Sequence, residues 1–148
     1  MKYKQVSQVD GLRTFVIVLD KGDEAFEQVS AFVREQGITA AGITGVGAGN
    51  EVTLGYFDPE IMDYRATDFA EQLELLSMVG DVAAKDGEPT VHAHIVLGRK
   101  DSTTIGGHLQ RFVVWPTLEL VLTESPATLR KKVDPETGLA LIDLDASA

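Results

Sequence analysis

The clearest helical period in this chain is confined to one stretch, and strand-like runs stand on both sides of it. In KGDEAFEQVSAFVREQG, residues 21–37, Phe26, Val29 and Val33 fall at helical spacing, flanked by Ala25 and Phe32. Asp23 is suited to cap this helix at its start, and Gly37 to stop it. Before it, LRTFVIVLD (12–20) is β-branched and aromatic and reads as a buried strand. After it the apolar residues alternate. Val52, Leu54 and Tyr56 do so in NEVTLGYFD, and Leu73, Leu75, Ser77 and Val79 in LELLSMVG, where Gly80 would weaken a helix. PTVHAHIVLG, the segment around GGHLQRFVV, and TLELVLTES read as further strands, and GLALIDL as one more at an edge or packed on the body. One long helix among so many strands predicts an α+β (α/β) fold, a mixed and largely antiparallel sheet with one main helix packed on it. The 148 residues hold no long linker or internal repeat, so one domain is expected over 1–148, with a core at about 10–125 and a C-terminal strand or tail over 126–148.

Charge narrows the partners. The 23 acidic and 13 basic residues leave a formal net charge of −10, which repels phosphate backbones and anionic membranes. The best basic cluster is Arg130, Lys131 and Lys132 in TLRKKVD, and its simplest reading is a solvated face. There is no cysteine, which excludes disulfides and thiolate metal sites. MKYKQVSQVDG lacks an apolar segment of the secretory kind, and no apolar run approaches the length of a bilayer span. A cytoplasmic location without membrane attachment is the expectation.

GITGVGAGN carries Gly45, Gly47 and Gly49 in alternation. A dinucleotide-binding loop needs a helix directly after it, so that the helix N-terminus meets the pyrophosphate. Here EVTLGYFD follows and reads as a strand. The glycines are better suited to a bulge, a tight turn or a close backbone approach.

All three histidines of the chain fall within seventeen residues, at His92, His94 and His108. In TVHAHIVLG, Val91, Ala93, Ile95 and Leu97 form one uniformly apolar strand face, and Thr90, His92, His94 and Val96 the other. Both imidazoles therefore project together, roughly 7 Å apart at the backbone. His108 follows after the rest of one strand and a turn, and can stand opposite the pair if the two strands are neighbours. Gly106 and Gly107 would then allow close approach. Two readings stay open on spacing alone: a three-histidine metal site, or half-exposed side chains that each find an ordinary hydrogen bond. There is no Gly-x-Ser-x-Gly elbow to suggest a serine nucleophile.

DGEPTVHAHIVLGRKDSTTIGGHL, followed by LELVLTE, resembles the plants-and-prokaryotes conserved (PPC) domain, which also occurs in plant AT-hook nuclear-localised proteins. GITAAGITGVGAGNEVTLGYFD and LELLSMVGDVA are similar to the same family in order and spacing, so the likeness runs from Leu12 to Glu124. It implies an antiparallel-rich α/β domain assembled as a homotrimer. It also implies that His92, His94 and His108 bind a divalent ion, usually taken as zinc (Zn2+). No Arg-Gly-Arg-Pro core occurs in the chain, so DNA binding through an AT-hook does not carry over.

The leading expectation is a trimeric PPC-like protein that binds a divalent metal through three histidines, with metal-assisted small-molecule binding or hydrolysis at the open coordination position. Glu74 and Glu119 alternate away from leucine faces and are candidates to support the ligands or to act as a general base. One rival is a DNA-associated regulatory protein, supported by the family's label alone. Another is an oligomeric interaction module with structural histidines. Tight DNA binding is not expected from the charge.

Overall fold

Strands β1 (Lys2–Val9) and β2 (Leu12–Asp20) form an antiparallel hairpin, and β2 buries Phe15, Ile17 and Leu19 in alternation as its composition predicts. The computed structural model describes residues 1–148. Helix α1 (Ala25–Glu35) buries Ala25, Val29, Phe32 and Val33. That face is rotated from the expected stripe, so Phe26 is only partly covered. Phe32 meets Phe15 edge-on at 5.2 Å, which seats the helix on the sheet. The N-cap is Glu24, not Asp23. The longer Glu24 carboxylate accepts from Phe26 N at 3.2 Å and Glu27 N at 2.7 Å, and also from Phe112 N at 2.8 Å on a neighbouring strand. Asp23 instead accepts from Asp20 N and pairs with the N-terminal amine at 2.9 Å. The helix stops at Gly37 as expected. The N–H groups of Gly37 and Ile38 bond back to Arg34 and Val33 carbonyls at 3.1 and 2.9 Å.

The glycine-rich run and the alternating segment after it form one long strand, β3 (Ala40–Asp58), with no helix following the glycines. The pairing of β3 is irregular around Gly45, Gly47 and Gly49, the bulged character predicted for this run. Next come β4 (Asp63–Phe69), β5 (Leu73–Lys85), β6 (Glu88–Gly98) and β7 (Thr104–Glu124). Strand β5 buries Leu73, Leu75, Met78 and Val82; a bulge between Leu75 and Ser77 switches its faces, so the expected alternation through Val79 does not hold. GGHLQRFVV and TLELVLTES are one strand rather than two. Trp115 and Pro116 lie where β7 bulges against β3, between the pairs Val114–Gly49 and Leu118–Gly47, and a proline is tolerated there because no ladder N–H is required.

All pairings are antiparallel except that of β5 with β8 (Arg130–Val133), which is parallel. Strand β8 and β9 (Ala140–Ile142) make a small C-terminal hairpin beside β5, where the tail strand was expected. The sheet order is β1-β2-β7-β3-β5-β8-β9, with β4 on β3 and β6 bridging β5 and β7. The fold is mainly β, with one helix over a core that includes Phe15, Phe32, Phe112, Leu118, Leu120 and Leu122. Arg13 ties the start of β2 to the end of β7: its Nε donates to Glu124 at 2.9 Å, and a second guanidinium nitrogen reaches the Gln36 carbonyl at the end of α1. No helix is long and apolar enough to cross a membrane.

Candidate metal centre

The site begins with a turn. Asp86 and Gly87 join β5 to β6, both at positive φ (53° and 88°), the backbone of a two-residue hairpin loop that Asp-Gly favours. This loop sets the register, so Asp81 stands directly across from His92. On the other side of β6, His94 pairs directly with His108 of β7. Gly106 permits this contact, because a Cβ there would lie 2.7 Å from the Ile95 carbonyl oxygen. The apolar face expected on β6 is observed: Ala93, Ile95 and Leu97 are buried, with Val91 partly so.

The three imidazoles converge. Ring centroids lie 5.2 Å apart for His92–His94, 5.2 Å for His92–His108 and 5.5 Å for His94–His108. One ligand atom from each ring falls within 4.8 Å of the others. Small ring rotations bring such a set to the roughly 3.4 Å spacing of nitrogens that bind a tetrahedral ion at about 2.1 Å. His92 Nδ1 lies 3.1 Å from Asp81 Oδ2, which orients the ring and leaves Nε2 free to ligate. His108 Nδ1 is buried without a hydrogen-bond partner. Such an orphan is costly, and a cation among the rings would relieve it. Tyr64 of β4 stacks on His108 at 4.5 Å and 25°.

Burial and mutual repulsion favour the neutral form of His94 and His108. His108 is pushed down to about 4, first by burial, then by His92, His94 and Lys131. His94, the most open of the three, is also lowered, by partial burial of its ring and by His92. Asp81 is raised by burial, but His92 and Lys131 outweigh this and hold it below its ordinary value. Neutral imidazoles are the form that binds metal.

The triad opens on a cleft of about 610 Å³. Tyr64 and Asp81 form part of its wall, and the β8–β9 hairpin supplies Lys131 and the run Leu139–Ile142. Lys131 corrects the expectation of a solvated basic face: its side chain is only 7% exposed, and its Nζ stands 3.0 Å from Asp81 Oδ1. Glu74 and Glu119 are not part of the cleft. Glu74 is exposed opposite Gly98, and Glu119 borders a separate depression with Val46 and Val79. The supporting carboxylate is Asp81, which the sequence reading missed. The Asp86-Gly87 turn was the signal for it, since counting back from that loop pairs position 81 with 92.

Residues 6–126 match the profile of the Plants and Prokaryotes Conserved (PCC) domain. A plant- and prokaryote-conserved protein of Pyrococcus horikoshii is 34% identical, with a TM-score of 0.83 over 88% of this chain and 91% of that one. A metal-containing protein of Archaeoglobus fulgidus is 33% identical, with a TM-score of 0.81 over 96% of each chain. A Bacteroides thetaiotaomicron protein provisionally described as DNA-binding is 26% identical, with a TM-score of 0.88 over 97% of this chain and 98% of that one. No curated protein matches the chain.

Proposed function

Because the chain belongs to the Plants and Prokaryotes Conserved domain family, we propose that it is a metalloprotein whose His92, His94 and His108 hold one divalent ion and present it to a small molecule in the cleft. The observation that carries this is the convergence of three imidazoles, one with an orphaned buried nitrogen and one backed by a carboxylate. The metal content of the Archaeoglobus relative supports it. Zinc is the preferred ion, since the donors are nitrogen only and the chain has no thiolate.

Bound there, the ion supplies Lewis acidity and a coordination position open to water or ligand. The chain's own residues do the rest. Asp81 holds His92 in one tautomer, Tyr64 fixes the plane of His108, and the β8–β9 hairpin narrows access from solvent. Asp81 is the one carboxylate lining the cleft, and it is engaged by His92 and Lys131. No acidic side chain is left free as a general base, which favours ligand binding over hydrolysis.

The assembly is a homotrimer in this reading. Its support on this chain is an apolar depression on the open sheet face, where Val46, Leu76, Val79 and Val121 are all exposed, Val79 by 61%. A second copy of the same chain would cover it. Light scattering should give three times the chain mass of 16.0 kDa at micromolar concentration; a monomer would contradict it. For the centre itself, untagged protein reconstituted with zinc should retain about one ion per chain after desalting. Protein that retains none would refute the reading.

A further inference from the structure

The cleft holds more than the triad. Lys131 reaches it from β8 with its side chain almost wholly buried, an unusual place for an ammonium. Asp81 is its one ion-pair partner, at 3.0 Å from Nζ. An ammonium carries three N–H donors, and one carboxylate oxygen does not saturate them. Lys85 pairs in register with Lys131 across β5 and β8, so the two side chains share a face, and both line the cleft. Two ammoniums against one carboxylate make this cleft locally positive in a chain of net charge −10. Low-dielectric walls focus such a field. Those walls are apolar beside the ammoniums: Leu139, Ala140, Leu141 and Ile142.

Resting on the metal-centre reading above, we propose that the cleft is a receptor for a small organic anion, whose oxyanion sits between the triad and the Lys131 ammonium and whose short apolar chain lies against Leu139–Ile142. The volume of about 610 Å³ suits a molecule of that size. The hairpin that supplies both Lys131 and the apolar wall lies outside residues 6–126, so anion recognition is built largely from the part of the chain beyond the family match.

The bland alternative is that Lys131 merely pins the C-terminal hairpin to β5 through Asp81. Calorimetric titration of cobalt-loaded protein separates the two, with hexanoate and butyl phosphate as probes and hexanamide as the neutral isostere. Hexanoate or butyl phosphate should bind at least about tenfold more tightly than hexanamide, the margin of a charge-assisted contact. The tighter of the two anions identifies the source as carboxylate or phosphate. Lys131→Met should erase the preference while retaining cobalt, and Lys131→Arg should keep most of it. Equal binding of acid and amide to the wild type overturns the proposal without any variant. So does a Lys131→Met protein that binds the anion as the wild type does. Visible absorption of the same samples reports cobalt uptake. A wild type that takes up none sinks the metal reading, and the acid-against-amide comparison on that protein still decides the role of Lys131.

Discussion

On β6, Ala93, Ile95 and Leu97 point into a sealed apolar core, whereas His92 and His94 on the same strand point into a cleft walled by β8 and β9. The core face draws on contacts from most of the sheet and from α1. The cleft face is held by pairings to β5 and β7 and by a few polar contacts from Asp81, Tyr64 and Lys131. One backbone thus separates stability from chemistry by a two-residue period. Changes on one face should spare the other.

The largest effect on folding is expected on the core face. Ile95→Ala removes a fully packed side chain and should cost about 3 kcal/mol in denaturant unfolding. Metal content per folded chain should be unchanged. Loss of metal in a protein that still folds would break the separation.

The Arg13–Glu124 clamp belongs to the core side as well. Arg13→Ala should cost about 2 kcal/mol, because it strands a mostly buried carboxylate. Its pH dependence has a definite sign. Glu124 is lowered from 4.5 chiefly by the Arg13 side-chain hydrogen bonds, against the opposing effect of burial, with help from the Arg13 backbone N–H. The carboxyl faces the guanidinium, which also reaches the Gln36 carbonyl. A lowered carboxyl contributes stability that is complete above its unfolded value and is lost as pH falls through the folded one. The gap between wild type and Arg13→Ala should therefore narrow from pH 7 to pH 3. A constant gap would count against the clamp.

On the cleft face, Asp81→Asn should weaken metal binding about 10-fold to 100-fold, since the carboxylate orients His92, and should cost about 2 kcal/mol in stability, because it strands the mostly buried Lys131 ammonium. Unchanged metal affinity in competition with a chromogenic chelator would show that Asp81 serves only Lys131.

The smallest effect concerns DNA. The chain carries −10, and of Arg130, Lys131 and Lys132 the middle residue is turned inward to Asp81. Fluorescence anisotropy with random and AT-rich duplexes at about 150 mM salt should show no submicromolar binding. Submicromolar affinity would restore the DNA-associated reading.

Much of this contrast was legible in the residues. The alternation in TVHAHIVLG separates its two faces, and the spacing to His108 leaves room for one turn and a return strand. What was not legible depended on partners. Glu24 became the cap because its length lets one carboxylate serve both α1 and Phe112. Pro116 reads as a strand breaker, yet β7 runs through it because a bulge absorbs the missing N–H. Strand β8 is a short, charged segment with no apolar period, and it is ordered by Ala84 N bonding to the Leu129 carbonyl and by its pairing with β9. Lys131 was therefore read as surface, although it lines the site.

The direct test is metal analysis of untagged wild type and His94→Ala after zinc loading and desalting. His94 is the most open of the three histidines, so its loss should spare the fold. The wild type should hold about one ion per chain and the variant only a small fraction of that, because two imidazoles make a weak site. Full occupancy in a folded His94→Ala protein would contradict the three-histidine centre.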